Sequence, residues 1–290
     1  MIRANVTRFH EIRLRLERHV ASSRSRAFLW EFALFVFKQG WACLFGALLL
    51  AMVLLTKLYW PAHAWPARYD FLFLAACLIQ VLLLAFRMET LREAKVILMF
   101  HVVGTMMELF KTHVGSWIYP EANFFRIGQV PLFSGFMYAS VGSYLARVTR
   151  ILDMRYTHFP KRWITAVLAL LIYINFFSHH YMPDIRWLLF AFVAMAFGRT
   201  WVYYRPYRTF RRMPLLLGFC LVALFLWIAE NLGTFATIWV YPSQRHGWQL
   251  VSISKFGAWF LLMIISFILV TFAHPPELPR DANRLSSTVQ

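Results

Sequence analysis

The sequence predicts an all-α fold, a polytopic transmembrane helical bundle of about eight spans arranged as two tandem four-span repeats. Three observations predict this architecture. Of the 290 residues, 60% are hydrophobic and only 15% are charged, which lies outside the usual composition of soluble domains. Apolar segments of roughly bilayer-spanning length recur along the chain. Finally, the chain matches itself at a constant offset of 122 residues.

The first element is a basic lead, residues 1–37, that precedes the apolar segments. Val6, Phe9, Ile12 and Leu16 recur at helical spacing, with arginines on the remaining surface. This pattern predicts a cytoplasmic amphipathic helix that lies in the membrane interface, or alternatively one that docks beneath the bundle.

Eight apolar segments follow, each near the ~20 residues that a helix needs to cross a bilayer. They run over 41–60, 69–86, 95–115, 132–145, 163–181, 187–203, 213–240 and 251–273. The seventh is expected to unwind before Trp239. The first repeat is predicted over residues 38–152, the second over 153–273, and a disordered cytoplasmic tail over 274–290.

The net charge of +17 is concentrated in particular connections between the spans. Lys and Arg crowd the N-terminal lead, the second-to-third, fourth-to-fifth and sixth-to-seventh connections, and the tail. Cytoplasmic connections retain positive charge, so both termini are predicted to be cytoplasmic, in a bacterial inner (plasma) membrane. The charge is therefore interpreted as topology and attraction to membrane lipids, and not as a nucleic-acid site.

The repeat is clearest in two segments, "ELFKTHVGSWIYP" and "ENLGTFATIWVYP". Each begins with a Glu and ends with Trp, one aliphatic residue, Tyr and Pro. The aligned pairs are Glu108 with Glu230, Trp117 with Trp239, Tyr119 with Tyr241 and Pro120 with Pro242. Four spans separate counterparts, so the halves have the same orientation and a pseudo-twofold axis along the membrane normal.

Glu108 and Glu230 each place a carboxyl group inside an apolar segment. On a continuous helix, Glu108 would lie roughly 13 Å from Trp117, near the centre of the hydrocarbon layer. Because an ionisable group there costs at least ~2.5–3.5 kcal/mol, both are predicted to be functional and to face inward. The alternative is a structural pair, each carboxyl protonated and hydrogen-bonded to backbone or a Tyr.

Further candidates lie near the acids. On the third span, His101 and Gly104 share the face of Glu108, and Lys111 is about 60° away. Since the counterpart of Lys111 is Gly233, Lys111 is predicted to reach the space beside Gly233 and pair with one or both acids; snorkelling outward is the alternative. Besides anchoring the helix ends at the interface, the aromatic residues are candidates to roof a cavity over the acids. These residues are Trp117, Tyr119, Trp239 and Tyr241.

The sequence lacks the motifs of several known enzyme classes. The sequence contains no HExxH, Walker or GxSxG motif, and Cys43, Cys77 and Cys220 have no metal-ligand spacing. No metal and no cofactor are therefore expected. Metal-free acid/base chemistry, transport and lipid binding remain.

The stretch "HVVGTMMELFKTHVGSWIYPE" resembles a bacterial integral-membrane family catalogued as domain of unknown function 817. The resemblance covers nearly the whole chain from about Ala27 onward. It implies an eight-span or similar bundle and supplies no activity. A weaker likeness is to membrane carotenoid-modifying enzymes of the hydratase and lycopene-cyclase types, which protonate a polyene with an intramembrane acid.

The favoured hypothesis is an enzyme that uses Glu108 and Glu230 as acid and base on a lipophilic, isoprenoid-like substrate. Lys111 would set which carboxyl holds the proton. One alternative is a small-solute or proton-coupled transporter with the pair as its midplane site, and another is a non-catalytic lipid-binding or scaffold protein. Membrane lipids and a lipophilic small molecule are the expected partners, and the sequence does not determine an oligomeric state.

Overall fold

The computed structural model describes residues 23–61 and 63–279. Over these residues the chain forms α1 (Arg24–Ala42), α2 (Leu44–Tyr59), α3 (Arg68–Ala85), α4 (Leu91–His113), α5 (Phe133–Ile151), α6 (Arg162–Ser178), α7 (Arg186–Phe197), α8 (Leu215–Phe235) and α9 (Ser254–Ala273). Short strands β1 (Arg126–Ile127), β2 (Val130–Pro131), β3 (Arg155–Thr157), β4 (Trp201–Tyr204) and β5 (Arg211–Pro214) lie in the connections. The helix predicted around residues 6–20 and the tail beyond 279 lie outside the described residues.

Helices α2 to α9 occupy the positions of the eight predicted segments. By length and apolarity, α3, α8 and α9 can each cross a membrane, and α1 with α2 makes a fourth candidate, bent by 69°. Helices α6 and α7 are apolar but contain only 17 and 12 residues. The protein is therefore largely helical, with three or four segments that meet the length and composition of a membrane span.

The observed elements differ from the prediction in details of the sixth segment, the connections and the N-terminal lead. The sixth segment was predicted as one helix through residue 203, but α7 ends at Phe197 and the chain continues into β4. The all-α expectation also omitted the strands, which are too short to produce a periodic sequence pattern. Helix α1 was not distinguished from the basic lead.

Strands β3, β4 and β5 form an antiparallel sheet at one end of the bundle. The backbone N–H of Tyr156 in β3 donates to the carbonyl of Glu277, 3.0 Å away. Lys38 of α1 donates to the carbonyl of Arg205 over 3.0 Å. The sheet therefore joins two connections that carry high positive charge, and it contacts both α1 and the segment after α9.

At the opposite end of the bundle, the segments after α4 and after α8 contact each other and the start of α3. Ile118 and Val240 form an isolated antiparallel bridge. Tyr69, at the start of α3, donates its hydroxyl to the carbonyl of Ile238 over 2.8 Å. Buried Asp70 accepts hydrogen bonds from the backbone N–H groups of Phe124 and Phe125 at 2.8 and 2.7 Å. The segments after α4 and after α8 thus lie together.

Helix packing recurs along the chain. Helix α4 packs along α5, and in the same way α8 packs along α9. Helix α2 contacts both α3 and α5, and correspondingly α6 contacts both α7 and α9. Helices α5 and α9 also contact each other. Close packing of α4 on α5 depends on missing side chains, since a Cβ on Gly104 would lie 2.7 Å from Tyr138, and one on Gly142 would lie 2.6 Å from Phe100.

Candidate functional site

Glu108 lies on α4, five residues before the helix ends, and is only 3% exposed. Its Oε2 accepts hydrogen bonds from Trp117 Nε1 at 2.7 Å and from the Tyr119 hydroxyl at 2.8 Å. Its Oε1 accepts from the Tyr138 hydroxyl of α5, also at 2.8 Å. Three neutral donors therefore surround this carboxyl group.

Glu230 occupies the corresponding position on α8 and is 4% exposed. Its Oε1 accepts a hydrogen bond from the Tyr241 hydroxyl, and its Oε2 accepts from Trp259 Nε1 at 2.6 Å. Tyr241 is the counterpart of Tyr119, whereas Trp259 belongs to α9 and is not the counterpart of Trp117. Both acids thus bind one indole N–H and at least one phenol hydroxyl.

In both sites the chain reverses at a residue in the left-handed conformation just after the helix. Gly115 follows α4 with φ 71°, and Thr237 follows α8 with φ 57°. At the first, Ser116 N donates to Lys111 O over 2.9 Å; at the second, Ile238 N donates to Gly233 O over 3.1 Å. This helix-ending motif reverses the chain and brings the following aromatic residues back to the acid.

This reversal corrects the predicted depth of the acids. The estimate of roughly 13 Å between Glu108 and Trp117 assumed an unbroken helix, but their side chains are hydrogen-bonded. Helix α4 ends at His113, so Glu108 lies only ~7.5 Å along the axis from that end. Both acids are therefore near the end of the bundle that contains the Ile118–Val240 bridge.

The two acids belong to one aromatic cluster. The Trp117 ring, bonded to Glu108, meets the Tyr241 ring, bonded to Glu230, edge to face with centroids 5.9 Å apart. Tyr119 continues the cluster toward Tyr69, with ring centroids 6.1 Å apart. Of the aromatic candidates, Trp117, Tyr119 and Tyr241 contact the acids.

A small cavity of about 30 Å³ lies between α4, α5, α8 and α9. Tyr138 and Trp259, which bond to the two different acids, both line it. So do Gly104 and Leu226, which are 122 residues apart. Its other walls are almost entirely apolar side chains. As described, the cavity has room for about one water molecule or methyl group.

The donors differ in what they allow chemically. An indole N–H only donates, so each Trp holds one carboxyl oxygen as an acceptor. A phenol hydroxyl can donate or accept, so the oxygen that faces a Tyr can carry a proton without losing its hydrogen bond. Each acid can therefore be either protonated or ionised in the same geometry.

Lys111 does not pair with either acid, contrary to the expectation from sequence. Its Nζ donates to the Phe176 carbonyl over 2.7 Å and lies 2.9 Å from His180 Nε2. The Lys111 position is turned from the Glu108 face toward α6, and the side chain is 3% exposed. The space at Gly233 is occupied instead by the Trp239 ring.

The other candidates contact neighbouring side chains and not the acids. The His101 ring packs against Phe136 in a tilted arrangement with centroids 4.4 Å apart, and its Nδ1 has no hydrogen-bond partner among the described residues. Gly104 allows Tyr138 to reach Glu108. Trp239 packs on Gly233 rather than bonding to Glu230.

Sequence reasoning missed Tyr138, Trp259 and Lys255. Tyr138 and Trp259 are 121 residues apart, one short of the repeat offset, so comparison at 122 did not pair them. Lys255 Nζ lies 4.5 Å from the centroid of the Tyr241 ring and 5.9 Å from that of Trp117. Within residues 23–61 and 63–279, no three His, Cys, Asp or Glu side chains are grouped to hold a metal ion.

Residues 31–267 match the model of the family described as "Protein of unknown function (DUF817)". The chain belongs to this family. Uncharacterized protein YoaT of Bacillus subtilis (strain 168) is 44% identical over 236 residues, covering 81% of this chain and 89% of that protein. Its name assigns no activity to the DUF817 chain.

Two solved structures are also similar. One is a mycobacterial Insig homologue, MvINS from Mycobacterium vanbaalenii, with 14% identity and a TM-score of 0.45. The other is a cross-linked trimer of an MvINS variant, with 14% identity and a TM-score of 0.46. Each alignment covers 66% of this chain and 98% of the other.

Proposed function

We propose that this DUF817 protein is a metal-free acid/base enzyme of the membrane, acting on a lipophilic substrate through Glu108 and Glu230. One observation carries the proposal: two buried carboxyl groups, each bonded to an indole N–H and a phenol hydroxyl, have donors that line one cavity. A carboxyl group that keeps its geometry in both protonation states suits proton transfer.

The proposed architecture is an eight-span bundle of two parallel repeats around a pseudo-twofold axis. The Ile118–Val240 bridge, the paired helix ends at Gly115 and Thr237, and the recurring helix contacts support it. Counterparts Gly104 and Leu226 line the same cavity, which would therefore lie on the axis. The proposed orientation, in a bacterial inner (plasma) membrane, has both termini cytoplasmic, on the side of the β3–β4–β5 sheet.

The proposed reaction class is isomerisation by proton exchange. Glu108 accepts three hydrogen bonds and Glu230 accepts two, and we propose Glu108 as the base and Glu230 as the acid. Glu230 would transfer its proton to an alkene carbon, forming a C–H bond. Glu108 would remove a proton from a neighbouring carbon, and the double bond moves with no net change in protons or electrons.

The substrate must enlarge the cavity, because about 30 Å³ does not hold an isoprenoid chain. Met107 and Met263 line the cavity, and Met side chains adapt readily to a ligand. Its apolar walls favour a hydrocarbon over a hydrated ion or solute.

Proton-coupled transport of a small solute is the second candidate. Its support is the position of the acid pair between the two proposed repeats, but the acids lie near one end of the bundle and not at the midplane, where transporter sites usually lie. A transporter also needs a polar path through the bundle, and the apolar cavity beneath Tyr138 and Trp259 favours the enzyme.

The test compares lipid extracts by mass spectrometry from deletion-strain cells expressing wild type, Glu108→Gln or Glu230→Gln. Glu277→Gln, in the exposed segment after α9, is the matched control. We expect a lipid whose abundance requires both acids and is unaffected by the control. Unchanged lipids with altered solute uptake would favour the transporter, and no effect of either change would indicate a structural pair in a lipid-binding or scaffold protein.

A further inference from the structure

Three basic side chains gather at the end of the bundle nearest the acids. They are Lys111 of α4, Arg186 at the start of α7, and Lys255 at the start of α9. Arg186 Nη1 lies 3.5 Å from the carbonyl oxygen of Ser254, the residue before Lys255. Lys111 Nζ contacts His180, which belongs to the connection that leads into α7. Like charges repel, and this arrangement therefore requires compensation.

Little of that compensation is present in the protein. Asp184 pairs with Arg186 at 2.6 Å and also accepts a hydrogen bond from Asn175 at 3.1 Å. Among the described residues, neither Lys111 nor Lys255 has a carboxylate within 4.0 Å of its Nζ. Asp184 thus balances one of the three charges, and the Phe176 ring, 4.0 Å from Lys111 Nζ, and the Tyr241 ring, 4.5 Å from Lys255 Nζ, compensate the lysines in part. The cluster keeps a surplus of positive charge.

Contacts link the two lysines through Ser116 and Trp117, adjacent residues of the segment after α4. Lys111 Nζ is bonded to the Phe176 carbonyl and to His180 Nε2, and His180 Nε2 lies 3.5 Å from Ser116 Oγ. Lys255 Nζ sits over Trp117, the residue after Ser116. Burial first, and then the charges of Lys111, His179 and Lys255, lower the pKa of His180, so it stays neutral and accepts from Lys111.

The two lysines occupy only one of the two places that the proposed repeat makes equivalent. At the offset of 122, Lys111 corresponds to Gly233, which the Trp239 ring covers, and Lys255 corresponds to Phe133, which packs against Tyr119. At these two positions the equivalent place is thus filled with aromatic rings.

The cluster is also next to the acids. Lys255 lies over the ring of Tyr241, whose hydroxyl donates to Glu230, and over Trp117, whose N–H donates to Glu108. A group bound to Lys255 would therefore be separated from both acids by only these two rings.

We propose that Lys111, Lys255 and Arg186 bind a phosphate group, carried as the headgroup of the lipophilic substrate. This inference rests on the proposed function and adds to it the substrate class, an amphiphile whose reacting carbons lie near its anionic end. Phosphate oxygens can accept charge-assisted hydrogen bonds from several cations at once, which suits the surplus charge.

The test measures binding of dodecyl phosphate to the full-length protein in neutral detergent, by calorimetry, with dodecanol and inorganic phosphate as comparison probes. We expect dodecyl phosphate to bind at least about tenfold more tightly than either, and high salt to weaken it. Lys255→Gln and Lys111→Gln should each weaken its binding about tenfold, and Lys255→Arg should restore it.

Lys57→Gln is the matched control, because Lys57 lies at the same end of the bundle on α2 and donates to Thr237. Equal binding of dodecanol, or equal loss in Lys57→Gln, would overturn the inference. Equal binding of inorganic phosphate would indicate a free-anion site and overturn the substrate class. Only variants that are monodisperse are compared. If Lys111→Gln does not fold, the result for Lys255→Gln decides the test.

Glu108→Gln and Glu230→Gln separate this inference from the proposed function. Both should still bind dodecyl phosphate, since the acids do not contact the cluster. Binding that persists while lipid extracts are unchanged would overturn the enzyme and leave the phosphate site. If dodecyl phosphate does not bind but lipid abundance depends on the acids, the phosphate site is overturned and the enzyme is retained.

Discussion

Ile118 and Val240 donate their backbone N–H groups to each other's carbonyl oxygens, over 3.1 and 2.9 Å. They are 122 residues apart, the offset that also separates Glu108 from Glu230. Two equivalent positions can exchange reciprocal hydrogen bonds when a twofold axis passes between them. This bridge is therefore the contact expected at the axis of the proposed repeat, and it lies next to the acid site.

The bridge predicts a disulfide between cysteines introduced at its two positions. Hydrogen-bonded antiparallel pairs have Cα atoms ~5.5 Å apart, within the range of disulfides. Ile118→Cys with Val240→Cys, in a background in which Cys43, Cys77 and Cys220 are replaced, should cross-link on mild oxidation. The readout is a gel shift after proteolysis between the halves. Ile118→Cys with Ala273→Cys is the control; equal cross-linking there would contradict the bridge.

The proposed orientation predicts which connections are accessible from outside the cell. In the same background, Ala122→Cys, after α4, should react with a membrane-impermeant maleimide in intact cells. Lys161→Cys, before α6, should react only after permeabilisation. Because these connections lie at opposite ends of the bundle, labelling of both in intact cells, with lysis excluded, would contradict the topology.

Gly104→Ala should destabilise the protein and disturb the acid site. The new Cβ would lie 2.7 Å from Tyr138, so Tyr138 must move away from Glu108. We expect a loss of about 1–3 kcal/mol of unfolding free energy, measured by thermal or denaturant unfolding in detergent. Gly40→Ala is the control, since its Cβ meets no atom within 4 Å, and it should be neutral or slightly stabilising.

Tyr241→Phe should impair the proposed proton transfer as strongly as Glu230→Gln. It removes the hydroxyl that faces Glu230 Oε1 but keeps the ring that packs against Trp117. Lipid extracts provide the readout, and Tyr181→Phe, at an exposed position, is the control. Full function in Tyr241→Phe would exclude a role for this hydroxyl.

Acidic pH should weaken the packing around His180. The pKa of His180 is lowered in the folded protein, by burial first and then by neighbouring positive charge, so the unfolded chain binds the proton more readily. Its contribution to stability is therefore present above the unfolded pKa of about 6.5 and is lost as the pH falls below it. Melting temperatures between pH 8 and pH 5 should show this decline.

His180→Gln should make that decline shallower, because the group that takes up the proton is gone. His179 adds a smaller decline of the same sign, since burial also lowers its pKa, and this part should persist in the variant. An identical pH dependence in wild type and variant would show that His180 does not titrate in this range.

The positions of the helices were predictable because each is a long apolar segment bounded by charge, Pro or Gly. The acid pair and its aromatic neighbours were predictable as residues, since Glu108 and Glu230 stand out against apolar surroundings and recur with the same Trp and Tyr spacing. Their contacts were not predictable in the same way. A left-handed residue at Gly115 turns Trp117 back toward Glu108, and the sequence pattern alone suggested a continuous helix.

The sequence by itself determined a membrane-type helical chain of the DUF817 family, with two acids in matching frames, because composition and an internal match require no knowledge of packing. Only the tertiary structure decided which groups meet those acids. Tyr138, Trp259 and Lys255 lie on helices distant in sequence, and their approach depends on how α5 and α9 pack against α4 and α8. The same packing places Lys111 Nζ next to the Phe176 carbonyl and His180 Nε2, away from both acids.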